Sequence, residues 1–124
     1  MIAVIAKLNV KPGCEEEFET AMLNLAAQVN ENEPGNHLYK LCEKVDGKYV
    51  VMELYEDQAA VAAHAESAHF KAAGAEFGGL MAGAPEITRM EVIGEIIFDE
   101  SSLGISPVYT SNISPFLSRY RLRI

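Results

Sequence analysis

The sequence predicts an α+β fold in which helices cover one face of an antiparallel sheet. Three observations predict it: a period-two aliphatic run at the start, an amphipathic helical repeat after it, and two strand-like runs joined by Asp46-Gly47. Ile2, Val4, Ala6, Leu8 and Val10 alternate along Ile2 to Val10, which suits a first strand, and Lys11-Pro12-Gly13 ends it. From Cys14 the period changes. Glu15, Glu16 and Glu17 complement the dipole of a helix N-terminus, and Phe18, Met22, Leu25 and Val29 then recur at helical steps. That makes an amphipathic helix of about four turns, broken at Glu33-Pro34-Gly35-Asn36 because a residue before proline avoids helical geometry and glycine supplies the turn.

His37 to Val45 and Lys48 to Glu56 read as strands paired through Asp46-Gly47, a dipeptide that tolerates the positive φ angles of a tight hairpin. Asp57 suits the N-cap of a short helix from Gln58, and Ser67 that of a second helix carrying Phe70, Ala73 and Phe77. Gly78-Gly79 closes it. Ile87 to Ile93 gives a fourth strand with a continuation toward Ile97 and Phe98. The resulting order, βαββαβ, is the ferredoxin-like arrangement. In the hairpin, Leu38, Val50, Met52 and Leu54 share one parity, and Tyr39, Val51, Glu53 and Tyr55 the other. Apolar residues on both faces would leave one face uncovered by helices, so a homodimer is expected.

A chain of 124 residues with 49% hydrophobic composition suits a single cored domain. Its formal charge of -8 would repel phosphate backbones and anionic membrane surfaces, so nucleic acid and membrane are not expected partners. The opening MIAVIAKLNV lacks a basic leader and a long apolar run, and a cytoplasmic location is expected. Cys14 and Cys42 lack metal-site spacing and read as reduced thiols. The organisation expected is a domain over residues 1–95 and an extension over 96–124. The extension carries Arg119, Arg121 and Arg123 and is expected to be either a disordered tail or an arm on a partner subunit.

VIAKLNVKPG (from Val4), the acidic helix after it, Glu33-Pro34-Gly35-Asn36, VVMELYED, AAVAAHAESAHF and LMAGAP together resemble the antibiotic biosynthesis monooxygenase domain over about residues 2–93. The likeness extends to bacterial quinol monooxygenases and to an isomerase of phosphorylated autoinducer sugars in the same superfamily. The resemblance implies a dimeric α/β barrel, a pocket between sheet and helices, and oxidation of small quinol or polyphenol aromatics by dioxygen without metal or flavin. No GxGxxG, P-loop or HExxH motif stands in the sequence, and no cofactor is expected. The haem-degrading branch uses asparagine, tryptophan and histidine where this chain has Ala6, Tyr55 and Gly74, which argues against haem.

His64 and His69 lie five residues apart, about 140° around one continuous helix. Ligand pairs prefer steps of three or four, so no metal is expected unless a break near Ser67 relaxes the limit and further ligands join. As catalytic groups, His64 is expected to be the base, assisted by Glu53, because histidine titrates near neutrality and Glu53 sits among residues that should be buried. Tyr39, Tyr55, Phe70, His69 and His37 are the expected substrate-binding residues, the aromatic ones suiting a planar ring. The competing readings are core packing for the rings and helix-surface or solvated positions for the histidines. An isomerase or tautomerase of a small carbonyl compound, or a dimeric domain that binds without turnover, would use the same groups.

Overall fold

The structure, a computed structural model, describes residues 1–94 and residue 96. The expectations for the extension over 96–124, and for a strand reaching Ile97 and Phe98, therefore lie outside the described residues apart from residue 96. Within the unit Met1–Glu91 the elements are β1 (Ile2–Leu8), α1 (Glu15–Asn32), β2 (Asn36–Val45), β3 (Lys48–Tyr55), α2 (Gln58–Glu66), α3 (Ala68–Phe77) and β4 (Glu86–Glu91). The sheet runs β2-β3-β1-β4 with every neighbouring pair antiparallel, the ferredoxin-like topology that the element order predicts.

Pleating assigns each residue its face. Ile2, Val4 and Ala6 are buried beneath the helices and stand opposite Tyr55, Glu53 and Val51 of β3. On their other side Val4 meets Arg89 and Ala6 meets Ile87 of β4. The alternate residues, among them Ile5, Met52, Leu54 and Met90, form the second face, where Met52 and Met90 are exposed. The hairpin turn has φ of 51° at Asp46 and 80° at Gly47, the left-handed pair that a tight antiparallel connection requires.

β1 is shorter than its aliphatic alternation predicts, because Val10 leaves β1's sheet partners and bridges Met81 in the loop after α3. Lys11 N–H donates to Leu80 O at 2.8 Å in the same small ladder. In α1 the predicted stripe is buried, with Ala21 added to Phe18, Met22, Leu25 and Val29. Phe18 packs against Tyr49 and Phe77 at ring-centre distances of 4.9 and 5.5 Å, joining α1, β3 and α3 in one core.

Two caps shape the segment after β3. Asp57 accepts from Ala60 N at 2.9 Å and starts α2. Ser67, in extended geometry, ends α2 and starts α3, its hydroxyl donating to His64 O at 2.7 Å and accepting from Phe70 N at 3.2 Å. α2 approaches the turn after α1 so closely that a Cβ added at Gly35 would lie 2.6 Å from the Ala60 Cβ. Glycine is required there by space. Gly35→Ala is expected to cost about 1–3 kcal/mol through overpacking, read as a lower urea midpoint. Combining it with Ala60→Gly should cost less than the two single losses added together; strict additivity would mean that the contact is unimportant.

Candidate active site

A cavity of about 570 Å³ opens between the helix-facing side of the sheet and helices α1 to α3. Most of its wall is aliphatic or aromatic, including Phe18, Met22, Phe70, Phe77 and Met81. The polar side chains that reach it are Tyr39, Glu53, Tyr55, His64 and Arg89. Such a wall suits a largely apolar ligand oriented by a few polar contacts.

β3 supplies Glu53 and Tyr55 from one face, two residues apart, and the Tyr55 hydroxyl donates to Glu53 Oε1 at 2.5 Å. Burial pushes the Glu53 carboxyl above its ordinary range; the Tyr55 hydrogen bond and the nearness of His64 oppose that, and Glu33 adds to it. Burial also raises the Tyr39 and Tyr55 phenols, and the neighbouring carboxylates raise them further. Both tyrosines therefore stay protonated at neutral pH. They can donate hydrogen bonds to a substrate but are unsuited to act as its base.

His64, in the last turn of α2, is buried. Its ring lies 4.6 Å from Phe70, 5.3 Å from Tyr39 and 5.5 Å from Tyr55, centre to centre. Its Nδ1 faces a carboxylate, but that of Glu33 and not the expected Glu53: the two Glu33 oxygens stand 3.1 and 3.0 Å away. His69 Nε2 reaches the same carboxylate, 2.5 Å from Oε2. The extended backbone at Ser67 makes this convergence possible, because the two histidines lie on separate helices and the rotation along a single helix no longer applies.

Of the residues singled out in the sequence, Tyr39, Glu53, Tyr55, His64 and Phe70 come together on the cavity, as do Ala6 and Gly74. His69 stands behind them on Glu33 and is absent from the cavity wall. His37 is elsewhere. The β2–β3 register slips between Asn36 and Leu38, so His37 is the extra residue of a bulge, and it pairs with Glu56 outside the cavity. The residue that sequence reasoning missed is Glu33. It sits in Glu-Pro-Gly-Asn, where it reads as turn punctuation, and only its adjacency to the end of a buried stripe hints at burial. Arg89, on β4, also reaches the wall and is not among the expected site residues.

Comparison with known proteins covers this region. The sequence model described as antibiotic biosynthesis monooxygenase matches residues 1–76. The chain is 35% identical over 94 residues to the protein named "Putative monooxygenase YcnE" of Bacillus subtilis (strain 168), the match covering 74% of this chain and 98% of that protein. Among solved structures, a protein of Caulobacter crescentus CB15 named "putative antibiotic biosynthesis monooxygenase" matches with a TM-score of 0.71 and 44% identity, over 74% of this chain and 89% of that one. Rv0793 from Mycobacterium tuberculosis matches with a TM-score of 0.70 and 25% identity, over 77% of this chain and 98% of the other.

The raised Glu53 carboxyl makes stability depend on pH. A carboxyl that holds its proton more tightly when folded favours the native state at low pH, and that contribution is lost as pH rises from the unfolded value near 4.5 through the folded one. Glu53→Gln removes the titration and retains an acceptor for Tyr55. Its urea midpoint relative to the parent protein is expected to climb across that interval; a difference independent of pH would show that Glu53 ionises as freely in the fold as out of it.

Proposed function

The chain belongs to the antibiotic biosynthesis monooxygenase family, and from that premise we propose that it is a cofactor-independent monooxygenase of a small, electron-rich phenol or quinol. The observation that carries the reading is a buried histidine, ringed by Tyr39, Tyr55 and Phe70, in the wall of a mainly apolar cavity. His64 removes the hydroxyl proton of the bound substrate. The resulting anion, held against the aromatic walls, gives one electron to dioxygen, and the radical pair joins at a ring carbon as a peroxide. Loss of water from that carbon leaves a carbonyl, so one oxygen atom enters the product and the other leaves as water. The protein contributes proton transfer, orientation and exclusion of solvent.

A tautomerase would use the same base. A phosphorylated sugar, however, calls for several cations, and among the described residues Arg89 is the sole basic side chain on the cavity wall besides His64. The rest of the wall favours an aromatic ring. Oxygen consumption with a panel of hydroquinones tests the proposal. The parent protein is expected to consume oxygen and His64→Ala to lose about 10²–10⁴ of the rate; a parent protein that consumes none with any quinol overturns it.

The second face of the sheet supports a homodimer. Ile5, Met52, Leu54 and Met90 lie on the side away from the helices, with Ile5 opposite Met52 and Ala3 flanked by Leu54 and Met90. A second copy pairing its own sheet against this face would cover it. Sedimentation equilibrium should give a dimer, and Met52→Glu should shift it toward monomer; a monomeric parent protein would contradict the pairing.

A further inference from the structure

We propose that Glu33 is the positioning residue of the site: its carboxylate, pinned by His69, accepts the Nδ1–H of His64 and so keeps the bare Nε2 available to the cavity. This rests on His64 acting as the base and adds the residue that decides which ring nitrogen can do so. A neutral imidazole carries one N–H, and an ionised carboxylate only accepts. The nitrogen that faces the carboxylate is therefore the protonated one. In His64 that nitrogen is Nδ1, within 3.1 Å of both Glu33 oxygens, while Nε2 has no hydrogen-bond partner among the described residues.

The arrangement is rigid and dry. The side chains of His64 and Glu33 are 8% and 7% exposed, which leaves little room for water to take the place of either. Glu33 is the C-cap of α1, with its own N–H on Val29 O at 3.0 Å and Pro34 fixing the chain beyond it. His69 then holds Oε2 from the far side. Glu53, the carboxylate that sequence order favours, is engaged by Tyr55 and makes no hydrogen bond to His64. The titratable groups around the His64 ring are thus Glu33, with His69 behind it, and Glu53, Tyr39 and Tyr55 from the sheet. When Nε2 takes a proton from the substrate, the imidazolium forms against a carboxylate already in place, which stabilises it without rearrangement.

Nitrogen-15 NMR of the histidine rings tests this without any substrate. Parent protein is expected to show His64 as the Nδ1–H tautomer. In Glu33→Gln, whose amide can donate, the population should move several-fold toward Nε2–H. Under oxygen-uptake conditions the same variant should lose on the order of 10²-fold in kcat, with KM nearly unchanged, and Glu33→Asp should recover part of it. His64 found mainly as Nε2–H in the parent protein overturns the proposal, as does an unchanged tautomer in folded Glu33→Gln. Should Glu33→Gln fail to fold, the parent spectrum alone decides. A parent protein with the Nδ1–H tautomer but no oxygen uptake supports the positioning and overturns the oxygenase reading instead.

Discussion

The carboxylate of Glu33 is the constraint on which the functional half of the molecule depends. Taking a carboxylate out of water costs several kcal/mol unless charge-assisted hydrogen bonds replace the lost hydration, and removing one partner of such a buried group costs about 3–5 kcal/mol. Here the replacement comes from two imidazoles on two helices. The end of α1, the last turn of α2 and the first turn of α3 must therefore meet at one point, or the carboxylate is left stranded. The same requirement explains the turn chemistry around it. Pro34 ends α1 at Glu33, Gly35 admits Ala60, and Ser67 breaks the helix so that both rings can turn toward the charge.

The cavity lies beside that meeting point, with His64 in its wall. Packing α2 and α3 flat on the sheet would fill the space; instead Ala6, Ala65 and Gly74 line it with little side chain. Val4 lines it between Glu53 of β3 and Arg89 of β4, so that an acidic and a cationic side chain flank β1 on one face. β4 is exposed along its whole length, Ile87 included, which leaves that side of the cavity accessible.

The fold was largely legible because its signals are local. Alternation in β1, the stripe from Phe18 to Val29, Asp46-Gly47 and the caps Asp57 and Ser67 each depend on neighbours a few residues away, and each is where periodicity and capping place it, save that β1 ends at Leu8 and releases Val10 to another ladder. The parity of β3 likewise predicts that Glu53 and Tyr55 share a face with Val51. The cavity residues on β3 follow from that parity. The partnership did not. Glu33 and His64 are separated by a hairpin, and nothing in the spacing of either reports the other. His37 shows the converse failure: it has the parity of Tyr39, but a one-residue slip in the ladder removes it from that face. Bulges and long-range ion pairs are invisible to periodicity because they are exceptions to it.

One consequence concerns the division of labour between the two carboxylates. Glu33 has two imidazole partners and faces away from the cavity, whereas Glu53 has one phenol and lines it. Desolvation raises the Glu53 carboxyl, and a protonated Glu53 both donates and accepts. Burial thus opposes a second negative charge beside the His64 ring, whose hydrogen bond goes to Glu33. In the proposed reaction the hydrogen-bonded carboxylate of Glu33 orients the His64 ring, while the desolvated one of Glu53 meets the substrate from the cavity wall.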